Sequence, residues 1–131
     1  MKVTITLNKK QIAVMMDALD LYSRVGWGQL RFLDDVYADR DYDRDAVREH
    51  LDAIKEIVFP ELGGADVRQP RPKRAQISWD IYQVIRNAYA WHRRPEGGIT
   101  VDFDKPMCTS GEPIPEICIS EEEEEGSASK K

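Results

Sequence analysis

Aromatic and basic side chains form two clusters in the sequence that together could bind a small anion. Aromatic rings stack on nucleobases, and guanidinium groups bind phosphate or carboxylate oxygens in a forked geometry. If the fold brings the two clusters together, they form a pocket for a nucleotide-like anion. The predicted ligand-binding residues are Tyr22, Arg24, Trp27 and Gln29 in the first cluster and Arg86, Tyr89, Trp91, His92 and Arg93 in the second.

A purely structural interpretation of the same residues stands beside the functional one. Tyr22 and Trp91 fall on the apolar stripes of predicted helices, where packing is the commoner role. Arg93 and Arg94 lie at a predicted helix C-terminus, where cations interact favourably with the helix dipole without any ligand. Trp27 stands between two glycines and outside any helical stripe, so it is the residue that packing explains least.

The sequence has no P-loop, HExxH or GxSxG motif, so we predict no catalytic residue and no cofactor. The adjacent carboxylates Asp34 and Asp35 are interpreted as surface charge. A structural zinc site shows two closely spaced ligand pairs. The histidines and cysteines do not show that spacing, so no metal site is predicted; they are His50, His92, Cys108 and Cys118.

Charge is distributed unevenly along the 131 residues, whose net charge is −5. The C-terminal residues 120–131 hold five glutamates and two lysines, and we predict that they form a disordered acidic tail. Residues 1–119 are predicted to form a single domain. Residues 67–95 carry a net +6, but the acidic remainder argues against nucleic acid as a partner.

Hydrophobic periodicity predicts four helices. Asn8 and Gln11 have the spacing of a capping box for the first helix, which the glycines around Trp27 end. A second helix is predicted to start near Gln29, and Asp43 is expected to cap a third that ends at Phe59–Pro60. The loop between them, 38–44, is almost wholly charged. Residues 65–76 are expected to be an exposed connection, and Ser78 is expected to cap a fourth helix that runs to about His92.

Alternating apolar residues predict three strands, at Val3–Leu7, Ile99–Phe103 and Ile117–Ile119. We interpret the last two as a hairpin that the N-terminal strand joins. The predicted fold class is therefore α+β, with about four helices packed on a small antiparallel sheet. The abundance of Met and aromatic residues in the helices is compatible with a homo-oligomer.

Residues 18–29, ALDLYSRVGWGQ, resemble a motif of small, largely uncharacterised accessory proteins of tailed bacteriophages. The segments IYQVIR at 81–86, AW at 90–91 and PEGGITV at 95–101 follow in the order expected for that family. The resemblance covers most of residues 1–119. It implies a phage protein that acts in the cytoplasm of the host cell.

Two functions follow as hypotheses. The first is a non-enzymatic, counter-defence protein that sequesters a small anionic, nucleotide-derived host ligand. The second is a protein–protein inhibitor or adaptor that acts on a host enzyme, with the acidic tail engaging a basic partner. An enzyme of unrecognised type is a third alternative. We expect no membrane partner, because no apolar run approaches the ~18 residues of a span.

Overall fold

The protein folds into helices joined by irregular segments in a computed structural model that describes residues 1–60 and 72–121. Three α-helices, α1 (Lys9–Gly26), α2 (Arg44–Val58) and α3 (Lys73–Arg93), account for about half of the described residues. Within the described residues, 3-10 helices also lie at Leu30–Tyr37 and Val101–Phe103. The described residues contain no strand, so the predicted α+β class is wrong and the described fold is helical. None of these helices is long and apolar enough to cross a membrane.

The N-terminal segment is irregular up to the start of α1, where the predicted capping box is confirmed. The Gln11 amide nitrogen donates to the Asn8 side chain and the Asn8 amide nitrogen donates to the Gln11 side chain, both at 2.9 Å. The predicted strand before it does not form, and Val3 and Ile5 remain 71% and 62% exposed. Alternation alone does not make a strand when no neighbouring strand supplies hydrogen bonds.

Helices α1 and α3 cross at small residues. Ser23 is completely buried on α1, and Ala75 is 2% exposed on α3. The Ser78 hydroxyl donates a 2.7 Å hydrogen bond to the carbonyl oxygen of Leu19, which links the two backbones. Small side chains let the helix axes approach closely, since interaxial distance depends on the side chains at the contact.

The apolar core is small and sits around this crossing and the elements beside it. Its buried hydrophobic residues are Leu30, Leu51, Ala75, Val84 and Ile85. The stripe predicted for α1 is only half-buried, and its last member, Tyr22, is 53% exposed. Near the C-terminal end of α1, the face that packs against α3 instead carries Ser23 and Gly26.

The second predicted helix exists, but as the 3-10 helix Leu30–Tyr37. The predicted cap of α2 is confirmed, because the Asp43 carboxylate accepts a 3.1 Å bond from the Ala46 amide. The predicted end of α2 before Pro60 is also confirmed, since the helix stops at Val58. Among the described helices, α2 contacts only the 3-10 helix Leu30–Tyr37.

Helix α3 begins at Lys73, five residues before the predicted cap. Ser78 is therefore a buried residue inside the helix, and its hydroxyl bonds to α1 rather than to its own first turn. Pro72 precedes the first turn, where its missing N–H group costs nothing. Residues 73–76 of the predicted connection are helical, and residues 65–71 of it lie outside the described residues, as do residues 122–131 of the predicted tail.

The segment after α3 follows that helix as an irregular strap, which we define as residues 100–112. Side chains of α3 bind its backbone. The Asn87 amide donates to the carbonyl oxygens of Asp102 and Asp104 at 3.1 and 2.8 Å, and the Trp91 indole donates to that of Phe103 at 3.2 Å. The predicted hairpin fails here because α3 side chains take the carbonyl groups that a strand partner would need.

A buried carboxylate fixes the other end of the strap. Asp80 is 3% exposed. It accepts hydrogen bonds from the Thr109 amide at 2.8 Å, from the Ser110 amide at 3.1 Å and from the Ser110 hydroxyl. Lys73 adds a 2.6 Å bond to the Ser110 carbonyl oxygen. Residues 117–119, predicted as the last strand, are irregular as well.

Candidate functional site

The corner between α1 and the first 3-10 helix brings the predicted ligand-binding residues Arg24 and Gln29 into direct contact. The Arg24 guanidinium donates from Nε to Asp20 at 2.9 Å and from Nη1 to the Gln29 side-chain oxygen at 3.1 Å. It also lies over two aromatic rings, 4.5 Å from the centroid of Phe32 and 5.5 Å from that of Trp79. Cation–π contacts of this kind hold a guanidinium in a fixed position.

The backbone of the corner explains why this sequence can place Arg24 beside Gln29. Helix α1 ends with bonds from the Trp27 and Gly28 amides to its last carbonyl groups. Gly28 has a φ of 91°, which favours glycine because other residues rarely adopt it. The chain then reverses, and the Gln29 amide donates a 2.9 Å bond to the Arg24 carbonyl oxygen.

An aromatic row extends from this corner along α3. Trp27 contacts Trp79 with ring centroids 5.1 Å apart, and Trp79 contacts Tyr82 at 5.8 Å. The Arg86 guanidinium lies 5.8 Å from the Tyr82 ring centroid at the far end. Trp79 and Tyr82 were not among the predicted site residues. Their spacing relative to Arg86, at i, i+3 and i+7, places all three on one helix face and was the signal that could have identified them.

The remaining predicted residues lie at the C-terminal end of α3 and form a separate group. Trp91 makes an edge-to-face contact with Phe103, 5.3 Å between centroids. Its ring also covers Gly97, where an added β-carbon would lie 2.9 Å from the indole. His92 contacts Glu121, while Tyr89 is half-buried and Arg93 is exposed. These contacts give Trp91 a packing role.

Apart from Arg86, which lies at the far end of the aromatic row, the two predicted clusters therefore have different neighbours. Trp27 contacts Trp79 near the start of α3, and Trp79 and Trp91 are about 18 Å apart along the helix axis. Arg24, Trp27 and Gln29 share one corner, whereas the residues from Tyr89 to Arg93 surround the other end of α3. Tyr22 is 53% exposed. Their role in ligand binding stays a prediction.

Both arginines of the aromatic row already have carboxylate partners. Arg24 pairs with Asp20 at 2.9 Å, and Arg86 pairs with Asp102 at 3.3 Å. A ligand would have to compete with these contacts for either guanidinium. The row is thus better suited to positioning the corner than to binding an anion directly.

A shallow groove opens beside the corner, between the 3-10 helix and α2. Its volume is about 280 Å³. Arg31 and Asp52 form a forked ion pair across it, with bonds of 3.2 and 2.7 Å from the guanidinium to the two carboxylate oxygens. The groove is lined by Gly28, Gln29, Leu30, Arg31, Phe32, Asp52 and Lys55.

The groove has an excess of positive charge. Arg31 and Lys55 contribute two cations against the single carboxylate of Asp52. The hydrogen bond from Arg31 lowers the pKa of Asp52 below its ordinary value, and the nearby charge of Lys55 acts in the same direction. In the part of the chain that is described, Lys55 forms no ion pair of its own, so its ammonium group is available to an anion.

An ion pair between the buried Asp34 and the partly exposed Arg48 holds the 3-10 helix, and with it the groove, against α2. Asp34 is 5% exposed and accepts a 2.8 Å bond from Arg48 and a 3.2 Å bond from the Tyr42 hydroxyl. The Arg48 bond lowers the pKa of Asp34, while burial raises the pKa of Tyr42. The interpretation of Asp34 as surface charge is therefore wrong, although its neighbour Asp35 is exposed.

No cluster of three or more metal-ligating side chains occurs within residues 1–60 and 72–121. The exposed Cys108 and Cys118 are both free thiols. Comparison with models of protein families, with curated proteins and with solved structures found no match for this chain.

Proposed function

We propose that this chain is a non-enzymatic binding protein that sequesters a small anionic, nucleotide-derived ligand in the groove beside Arg24. The observation that carries the proposal is the combination of two groove cations with an aromatic ring and an amide in one place. Arg31 and Lys55 supply the charge, Phe32 supplies the ring and Gln29 supplies the amide. Cations bind phosphate oxygens, and an aromatic ring can stack on a planar base.

The groove cations can be engaged at low cost. Arg31 and Asp52 are 60% and 49% exposed, and an exposed ion pair contributes little to stability because water and salt screen its charges. An anion that replaces Asp52 on the Arg31 guanidinium therefore loses little. Arg24 supports the site indirectly, because its bond to Gln29 and its contact with Phe32 fix two lining residues.

The biological setting of the proposal comes from the sequence. The resemblance of residues 18–29 to phage accessory proteins supports a host-derived ligand and a counter-defence role in the host cytoplasm. Sequestration needs no catalytic group, which agrees with the lack of known catalytic motifs in the sequence.

A thermal-shift screen tests the proposal. The probes are cyclic dinucleotides, cyclic trinucleotides, ADP-ribose and inorganic phosphate, each at millimolar concentration. We expect at least one nucleotide to stabilise the protein, by about 2.7 kcal/mol when its concentration is 100 times its Kd. Phosphate alone should stabilise the protein less, since it has no base that can stack on the Phe32 ring.

Matched charge variants locate the binding site. Lys55→Gln should remove most of the ligand-induced shift, because it removes a groove cation that has no ion pair within the described chain. Lys105→Gln is the control, since Lys105 is exposed and lies in the strap. The proposal fails if none of the nucleotides stabilises the protein, or if both variants respond to the ligand as the original protein does.

A further inference from the structure

Helix α2 has an apolar stripe on the side that faces away from the rest of the described helices. The apolar residues Ala46, Ala53 and Ile57 lie within about 40° of one another around the helix axis, from a turn of 3.6 residues, and the exposed His50 interrupts them on the same side. All three are exposed, and Ile57 is 79% exposed. Leu51 lies on the opposite side of α2, which is the side buried against the 3-10 helix.

The stripe combines small and larger apolar residues around the exposed His50. Its two alanines are seven residues apart, so they fall on one line along the helix and permit a second helix to approach closely. Ile57 and, beside it, the 47% exposed Ile54 supply larger apolar contacts. An amphipathic helix binds such a surface through apolar residues spaced by three and four.

Acidic residues border the stripe along one edge. Glu49 and Glu56 are also seven residues apart, and both are exposed. Within the described residues, neither side chain forms an ion pair. Residues that flank a helix–helix contact set partner choice through their charge. This edge therefore selects a partner that carries positive charge.

The same two glutamates disfavour a second copy of the chain that docks with its α2 helix antiparallel. A two-fold axis that pairs two antiparallel α2 helices brings the same edge of each helix together. Glu49 of one copy then lies near Glu56 of the other, and like charges at such positions destabilise the pair.

We propose that the outer stripe of α2 docks a basic amphipathic helix of a partner protein. The proposal is independent of the ligand groove, because Asp52 and Lys55 project from the opposite half of α2. The two sites can therefore be occupied at the same time, and the loss of one leaves the other intact.

Two designed peptides test the proposal with the full chain. Both peptides form helices of about three turns or more and carry leucines at the a and d positions of the heptad repeat. One peptide has lysines at the flanking e and g positions, and the other has glutamates there. Binding is measured by isothermal titration calorimetry. We expect the basic peptide to bind at least about tenfold more tightly than the acidic one.

Three variants define the surface. Ile57→Asp should weaken binding of the basic peptide by about tenfold or more, because it places a charge in the apolar contact. Val14→Asp is the matched control, since Val14 is a similarly exposed apolar residue on α1, at 68%. The double variant Glu49→Lys with Glu56→Lys should reverse the preference in favour of the acidic peptide. Circular dichroism is the measurement that checks whether each variant is helical.

The opposing results are distinct. Equal binding of the two peptides, binding of neither, or equal affinities of the Ile57 and Val14 variants would each overturn the proposal. Sedimentation velocity without peptide supplies the remaining outcome. A dimer that Ile57→Asp dissociates would identify a second copy as the occupant and would also overturn it.

Discussion

A β-carbon added to Gly26 would lie 2.9 Å from the β-carbon of Ala75, so the crossing of α1 and α3 depends on glycine at this position. Both atoms are attached directly to helix backbones, and neither can move aside by a change of rotamer. The helices themselves would have to separate. This crossing also carries the Ser78–Leu19 hydrogen bond, so a shift here changes how α3 is held.

We expect Gly26→Ala to lower the free energy of unfolding by about 1–3 kcal/mol, the usual cost of overpacking. Helix propensity alone predicts the opposite sign, since alanine is favoured over glycine by about 1 kcal/mol. Urea denaturation measures the change. Adding Ala75→Gly should recover part of the loss, and a double-mutant cycle should show coupling between the positions. A more stable Gly26→Ala protein would contradict the close crossing.

Asp80→Asn should destabilise the protein by about 2–3 kcal/mol, because it removes a buried charged acceptor of three hydrogen bonds. An amide cannot accept at both positions and places an N–H group against the backbone donors. Asp102→Asn is the control, since its ion pair with Arg86 is partly exposed and should cost at most about 1 kcal/mol. Thermal unfolding compares the two. Equal effects would show that Asp80 does not anchor the strap.

Acid should destabilise the contact between α2 and the 3-10 helix. The pKa values of Asp34 and Asp52 are lower in the folded protein than their ordinary values, because Arg48 and Arg31 bind the charged forms. Such groups stabilise the fold above the unfolded pKa, and this stabilisation is lost as pH falls through the folded pKa. We expect the free energy of unfolding to decrease as pH falls below about 4.

The variant Asp34→Asn isolates one of these two carboxyls. It should lower stability at neutral pH and make the decrease in acid shallower, since one titrating group is gone. Asp35→Asn is the matched control, because Asp35 is the exposed neighbour. Urea denaturation at about pH 7 and about pH 3 gives the comparison. An acid response in Asp34→Asn as steep as that of the original protein would contradict the assignment.

Trp91→Phe should leave ligand binding unchanged, because the groove lies at the corner of Arg24 and Trp91 lies at the other end of α3. The variant loses the indole bond to the Phe103 carbonyl oxygen, which should cost about 1 kcal/mol of stability. Phe32→Ala is the comparison, since it removes the groove ring. If the ligand-induced thermal shift disappears in Trp91→Phe, the result would instead support the pocket that the sequence predicted from both clusters.

The sequence predicted helix boundaries correctly where residues adjacent in the sequence decide the structure. Asn8 with Gln11 and Asp43 were correctly identified as caps, because capping depends on residues within one turn. The prediction that Ser78 caps a helix was wrong, because its hydroxyl bonds to the distant residue Leu19. A serine that caps a helix and a serine that bonds across to another helix have the same local sequence.

The sheet could not be judged from the sequence, because strands depend on distant partners. Ile99, Val101 and Phe103 alternate as a strand would, but polar side chains of α3 bind the backbone that follows Ile99. Only the three-dimensional approach of Asn87 and Trp91 decides between the two outcomes. Alternation measures a tendency to be half-buried, and a strap against a helix satisfies it as well.

The candidate site was predicted in part. Arg24, Trp27 and Gln29 do share a corner, since they are close in sequence and a glycine turn lies between them. The contribution of Arg31 and Lys55 was missed, because they come from elements that meet only in the fold. Trp79 was missed because the apolar stripe assigned to the predicted fourth helix began at Ile81, two residues later.

The isolation of α2, which touches the other described helices only through the 3-10 helix, suggests that the molecule does not open as one unit. Amide hydrogen exchange should resolve α2 as a segment that opens at lower free energy than the α1–α3 pair. A compound that bridges Lys55 and Gln29 would raise the free energy of opening of α2 toward that of the α1–α3 pair. The slowing of exchange in α2 would then report occupancy in a crude mixture, before the compound itself has been identified.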